Sequence, residues 1–341
     1  MCTDLRLVKL PDRRVSARTL DFAYEVNSNL QIVPRGQNWS AIDTETAVPT
    51  LTWQNHLGFV GMDAFGFPWG ICDGLNEAGL SVGTLWLPET VLPTAAQEKG
   101  AEPAIDFVHI AAWVLGTCAT VGEVRAALAG VQIWNAPVRR LWPTDKPAPQ
   151  MLKPFMDYAF TEHLTFHDAQ GGDLVVEFLD SQAVMHDNVV GVLTNSPTYD
   201  WHVTNLRNYI GLTNVESDPV NLMGMKVAPT GNGTGLLGLP GDVTPPSRFV
   251  RATVLAQVAE SAKDPRDAIN QAFHSLDLVS VPRHLAASGD YTQWYVVRDH
   301  DDPTYYVRTY DAWTTDIHRL ADLKVGQPGP QRSVPLPTAG R

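Results

Sequence analysis

The sequence predicts an α+β fold, because strand patterns arrive in a block, helical patterns interrupt them, and strand patterns then resume. Apolar alternation marks residues 2–10, 14–22, 30–34, 57–62, 69–73 and 80–87. Three- and four-residue spacing takes over at 104–118 and 121–128, and strand patterns return at 163–168, 173–179 and 182–193. An alternating βαβ order is absent. Two sheets with helices outside them suit this sequence of elements.

The chain opens on a predicted β-hairpin. Thr3, Leu5, Leu7 and Lys9 share one face of its first strand, Pro11-Asp12-Arg13 is the turn, and 14–22 returns. Asn76-Glu77-Ala78-Gly79 turns the chain into the 80–87 strand. Thr120 is a predicted N-cap, with Glu123 three residues on. Residues 141–154 are Pro-rich and read as a loop, and Gly171-Gly172 reads as a tight turn. Helical patterns cover 198–212 and 247–261, the latter with Ser247 as its expected cap. Asp264 caps a further helix to 276. Residues 291–298 and 304–310 form a late hairpin. The Pro/Gly-rich tail, 326–341, reads as loose, leaving 1–325 as a single domain.

Composition narrows the function. The chain has 341 residues, 44% of them hydrophobic, enough for a large core. Its net charge is −12, from 25 basic and 37 acidic residues, and no Lys/Arg-rich run is present. Nucleic acid and anionic membrane are therefore not expected partners. No apolar stretch reaches the ~20 residues of a membrane span; the segment 104–118 is broken by Asp106 and His109. The opening Met-Cys-Thr-Asp has no basic n-region or apolar h-region, which points to the cytoplasm unless a leader precedes this sequence. Cys72 and Cys118 lack CxxC spacing and read as small buried apolar residues.

Cys2 is where chemistry concentrates. Once Met1 is removed, a thiol and a free α-amine share one residue. An α-amine titrates near ~7.7–8, far below the ~10.4 of lysine, so it can serve as a base at neutral pH. A thiol needs such help to attack a carbonyl. The competing reading is a frayed terminus. Arg18 and Asp21 lie on the return strand of the same hairpin. A guanidinium beside a sulfur favours thiolate, and a carboxylate beside the amine would hold it in place. A surface ion pair on the hairpin is the plainer alternative.

Other candidates are weaker alone. Asn195 ends an apolar strand in Leu193-Thr194-Asn195-Ser196-Pro197, where it could donate to an oxyanion or merely form a turn. The Gly-rich run 231–241 lacks the GK[ST] ending of a phosphate loop and reads as an irregular connection. Arg248 sits in the first turn of a predicted helix, against the helix dipole, which hints at another purpose. His163 and His167 fall on a strand, and HExxH, Cys/His-quartet and GxSxG patterns are missing, so no metal site is expected.

Taken together, Met1-Cys2-Thr3, Arg18-Thr19-Leu20-Asp21-Phe22, Asp73-Gly74-Leu75-Asn76-Glu77-Ala78-Gly79-Leu80, Thr194-Asn195-Ser196-Pro197, Leu239-Pro240-Gly241-Asp242 and Ser247-Arg248-Phe249 resemble the choloylglycine hydrolase family. That family holds conjugated bile acid hydrolases and penicillin V acylases among the N-terminal nucleophile hydrolases. The resemblance runs from Cys2 to the late hairpin and implies a four-layer αββα sandwich, hydrolysis of a small-molecule amide, no cofactor and a homotetramer. It assigns nucleophile and base to Cys2, places Arg18 and Asp21 beside them, and gives Asn195 the oxyanion role and Arg248 a supporting charge. At a substrate-facing position where bile acid hydrolases tend to carry Asn and many penicillin acylases Tyr, this chain has Trp86. Leu20, Phe22, Met62, Phe65, Trp86 and Trp134 are the expected pocket walls. The reading is a penicillin V acylase-like amidase. Bile acid conjugates or acyl-homoserine lactones are the alternative substrates, and a non-catalytic ligand-binding relative with Cys2 as a packed thiol is the alternative of a different class.

Overall fold

The computed structural model describes residues 1–7, 13–96, 102–141, 153, 156, 160–258, 261–312 and 314–337. The main strands of the first half are β1 (Cys2–Arg6), β2 (Val15–Phe22), β3 (Asn29–Val33), β4 (Phe59–Asp63), β5 (Ile71–Asn76) and β6 (Ser81–Trp86). Helices α1 (Ile110–Thr117) and α2 (Val121–Ala129) follow, then β7 (Glu162–His167), β8 (Asp173–Leu179), β9 (Gln182–Asp187) and β10 (Val192–Leu193). The chain continues through α3 (Tyr199–Asn205), α4 (Pro245–Val258) and α5 (Pro265–Asp277). It ends with β11 (Tyr291–Asp299), β12 (Thr304–Thr309), β13 (Asp316–Arg319) and β14 (Arg332–Pro335).

Two large antiparallel sheets result. The six-stranded sheet runs β10-β1-β2-β11-β12-β13 and the eight-stranded sheet β9-β8-β7-β6-β5-β4-β3-β14. Helix α1 packs on β5 and β6, while α4 and α5 cover β1, β2 and β11. Four layers follow, helix, sheet, sheet, helix, as the αββα expectation requires. The α1 sequence IAAWVLGT is buried at every position except Thr117, as suits a helix sealing a sheet. Thr120 caps α2 by accepting the Glu123 N–H, and Asp264 caps α5 through the Asp267 N–H.

Four expectations needed correction. The helix read over 104–118 begins only at Ile110; Ala104–Asp106 is a strand parallel to Gln132–Trp134. The Asp106 carboxylate binds the Ile42 N–H and the His109 ring, which holds that stretch extended before the helix starts. The strand read over 182–193 is two strands in different sheets. β9 ends the eight-stranded sheet and β10 the six-stranded one, with Gly191 at φ 68° in the crossing turn. The tail is not loose throughout, since β14 pairs with β3 as an edge strand. Helix α4 starts at Pro245, before Ser247, whose hydroxyl donates to Asp242 at 2.6 Å rather than capping. The helical 198–212 stretch is α3 followed by a 3-10 turn at Leu206–Tyr209. Pro11, Asp12 and most of the 141–154 loop lie outside the described residues.

Candidate active site

Cys2 stands at the start of β1, in register with Leu20 of β2. Strand alternation then sends side chains to two faces. Cys2, Asp4, Arg18 and Leu20 point between the sheets; Thr3, Thr19 and Asp21 point toward the helix layer. The thiol and the backbone nitrogen of Cys2 are thus served from opposite sides. From the inner face, Arg18 Nη2 lies 3.5 Å from Cys2 Sγ. From the helix face, Arg248 of α4 donates to the Cys2 carbonyl and to Thr3 Oγ1. Its Nη1 also stands 3.7 Å from Asp21 Oδ2.

Arg18 is held rigidly. Its Nη1 donates to the Cys72 carbonyl at 2.8 Å and to Asp73 Oδ2 at 3.0 Å, and Nη2 also donates to the Thr84 carbonyl. Burial opposes its charge, but the Cys2 sulfur and the Asp73 carboxylate outweigh burial and hold its pKa well above the usual guanidinium value. Asp73 is shared. Arg298 donates to it, and Tyr305 Oη donates to its Oδ1 at 2.7 Å. Arg298 also reaches Asp4, which binds the His167 ring at 2.6 Å. A wholly buried ionic layer therefore joins the two sheets behind the nucleophile.

Asn195, following β10, accepts the Cys2 backbone N–H at 2.7 Å and Arg248 Nη2 at 2.9 Å, both on Oδ1. A guanidinium only donates, so Arg248 fixes which end of the amide faces Cys2. Nδ2 donates one proton to the Trp86 carbonyl at 2.8 Å. An amide nitrogen carries two protons, which leaves one for an oxyanion. Asp21 Oδ1 accepts the Thr292 hydroxyl at 2.6 Å, whereas buried Oδ2 has no hydrogen-bond partner while Met1 is attached. Burial pushes the Asp21 carboxyl above its usual pKa, and Arg248 and the terminal ammonium partly offset this. The same burial lowers the pKa of Arg248, with Asp21 the main counterweight.

The thiol borders a cavity of 430 Å³ whose wall includes Leu20, Phe22, Phe65, Trp86 and Phe160. Of the six expected pocket residues, Leu20, Phe22, Phe65 and Trp86 line this cavity. Met62 and Trp134 do not. Met62 pairs with Leu30 across β3 and β4 and is fully buried in the core. Trp134 lies in a separate small cluster with Val48 and Ala136. Trp86 is 44% exposed, which puts its indole at the rim. Sequence reading missed Tyr24, Thr84, Phe160, Glu162 and Asp290, which also line the cavity. Glu162 carried a signal, a carboxylate opening an apolar strand; burial raises its pKa, with Thr84 and Arg18 opposing. His163 and His167 bind Glu177 and Asp4 rather than a shared ion, and among the described residues no cluster could hold a metal.

A double antiparallel sheet between helices, with the thiol at the start of its β1 strand and facing a largely apolar cavity, defines an N-terminal nucleophile hydrolase fold. The chain belongs to the choloylglycine hydrolase family of linear amide C–N hydrolases, which it matches over residues 2–330. It is 31% identical over 316 residues to a bile salt hydrolase/transferase of Clostridium perfringens, covering 91% of this chain and 90% of that one. It is 27% identical to a penicillin V acylase of Pectobacterium atrosepticum, over 87% and 74% of the two chains. Among solved structures, a variant of conjugated bile acid hydrolase from Clostridium perfringens superposes with TM-score 0.81 at 26% identity, covering 99% and 98%. Penicillin V acylase from Agrobacterium tumefaciens superposes with TM-score 0.76 at 25% identity, covering 99% and 92%. The protein is thus an enzyme of the small-molecule amide hydrolase type. Among the described residues no helix is long and apolar enough to cross a membrane.

Proposed function

We propose that the protein hydrolyses the amide of a small N-acyl compound with a bulky, aromatic or otherwise apolar acyl group, in the manner of a penicillin V acylase, with Cys2 as nucleophile after Met1 leaves. The observation that carries this is the Cys2 thiol, 3.5 Å from Arg18 Nη2 and bordering the apolar cavity. In the first step the Cys2 sulfur attacks the amide carbon, and the oxyanion takes the second Asn195 N–H. The Cys2 ammonium then protonates the departing amine, leaving a thioester. In the second step the same amine, now neutral, takes a proton from water, which cleaves the thioester and frees the acid. Asp21 Oδ2, which makes no hydrogen bond while Met1 is attached and stands 3.7 Å from Arg248 Nη1, would hold the new ammonium. Asn195 Oδ1 already binds that nitrogen.

The acyl preference rests on ring geometry. Phe22 meets Phe65 edge-on at 6.2 Å and Tyr24 at a 57° tilt at 6.1 Å, so an aryl acyl group would join an aromatic cluster. The 31% identity to a bile salt hydrolase/transferase favours a second reading, hydrolysis of bile acid conjugates. A panel of penicillin V against glycine- and taurine-conjugated bile acids separates them. Both types carry an anionic leaving amine, so the comparison reads the acyl group. Higher kcat/KM on penicillin V supports the first reading, and clear preference for the conjugates refutes it. The homotetramer and a cytoplasmic location stand as parts of this proposal.

A further inference from the structure

The terminal ammonium in the unprocessed chain reveals how the cavity treats charge. Met1 and Asp290 both line it. The Met1 ammonium donates to the Asp21 carbonyl and lies 3.2 Å from Asp290 Oδ1. Asp290 sits just ahead of β11, its side chain only 16% exposed. Its other oxygen accepts the Ser288 hydroxyl at 2.6 Å, which fixes the carboxylate. The other ionisable carboxyl on the wall is Glu162, and no Lys, Arg or His is among the described lining residues.

The location of this seat follows from covalent connectivity. The leaving amine must stand beside the Cys2 nitrogen, because that nitrogen protonates it. Met1 is bonded to the same nitrogen. When Met1 departs, the space it vacates opens on the amine side of the nucleophile, with Asp290 at its far end.

We propose that Asp290 is a specificity determinant for the leaving amine: it selects uncharged or cationic amines and disfavours those bearing a carboxylate or sulfonate. A like charge facing a poorly solvated carboxylate is costly, whereas an amide, hydroxyl or ammonium can take the contacts that the Met1 ammonium now makes. This rests on the amidase reading above and extends it from the acyl group to the amine: the carboxylate-bearing amine of penicillin V is then tolerated, and an uncharged amine on the same acyl group is preferred.

The test holds the acyl group constant. Phenoxyacetyl-glycine and phenoxyacetyl-glycinamide differ only in the charge of the leaving amine. The processed wild-type enzyme should favour the glycinamide by ~10-fold or more in kcat/KM at low salt. The ratio should shrink as salt rises from about 0.01 M to about 1 M, since the Debye length falls from ~30 Å to ~3 Å. Asp290→Asn should bring the ratio near one, and Asp290→Lys should reverse it. Equal rates in the wild type, or a ratio unmoved by both substitutions, would overturn the assignment of Asp290. Failure on both compounds, with turnover of another acyl series, would refute the aryl preference alone; the same glycine and glycinamide pair on that acyl group then decides about Asp290. Failure on every amide defeats both proposals.

Discussion

Arg248 Nη2 and the Cys2 backbone nitrogen meet on a single atom, Asn195 Oδ1, at 2.9 and 2.7 Å. The helix that carries Arg248 thereby orients the amide that adjoins the nucleophile. Asn195→Ala should lower kcat by ~10²–10³, the usual loss for one oxyanion donor, with a smaller change in KM. An unchanged kcat in steady-state assays would return Asn195 to the role of a strand-ending turn.

The ionic layer behind Cys2 should govern stability as well as rate. Asp73→Ala strips one partner from both Arg18 and Arg298 and removes the acceptor of Tyr305. Breaking a buried pair in this way costs ~3–5 kcal/mol. Arg298 keeps Asp4, which favours the low end. Urea denaturation reads the loss, and alkylation of Cys2 in the folded variant should be slower because Arg18 loses its carboxylate anchor and keeps the Cys72 and Thr84 carbonyls. A loss below about 1 kcal/mol would mean that the layer contributes little.

Stability should peak near neutral pH. His167 is buried between Asp4 and Asp173, and although burial disfavours its charge, the two carboxylates raise its pKa to about 9. Its other neighbours are the Thr165 hydroxyl and the His300 ring, and Arg298 shares the Asp4 carboxylate with it. With an unfolded value near ~6.5, this stabilisation is complete below pH ~6.5 and lost as pH rises through about 9, an effect on the order of 3 kcal/mol. His300 and His202 behave oppositely. Burial lowers them to about 3 and about 4, so their contribution is present above pH ~6.5 and lost on acidification. Urea midpoints for wild type should fall from pH 6.5 to pH 9, and His167→Gln should flatten that limb. An identical slope in the variant would contradict the assignment.

We propose that an exposed hairpin carries the contact of the proposed homotetramer. Val220–Leu222 pairs with Met225–Val227, and Leu222, Met223 and Met225 are 55%, 109% and 64% exposed. Apolar surface of this kind is rare without a partner. Replacing Leu222, Met223 and Met225 with Asp should reduce the mass seen by sedimentation velocity toward that of one chain. A variant as large as its parent would exclude this hairpin as the contact.

Legibility in the sequence followed locality. Arg18 and Asp21 could be placed near Cys2 because a hairpin brings its own strands together, and the register Cys2↔Leu20 honours that geometry. Asn195 and Arg248 were legible only through motif resemblance, since no local rule says which distant strand end or helix turn reaches residue 2. Met62 was misread because position near a turn does not reveal which side of a strand faces a cavity; pairing with Leu30 sends it into the core. The 182–193 stretch was misread because its alternation continues through the Asp187–Gly191 turn while the hydrogen-bonding partner changes sheet. Asp290 and Thr84 carry no pattern at all, and only the folded cavity assembles them.

The central claim is that Cys2 acts as the first residue of the mature chain. The most direct measurement compares amide turnover by two preparations of verified intact mass, one beginning at Cys2 and one retaining Met1. The account predicts hydrolysis, and an acyl adduct on Cys2 after rapid quench, only in the form that begins at Cys2. Equal turnover by the form that retains Met1 would contradict it.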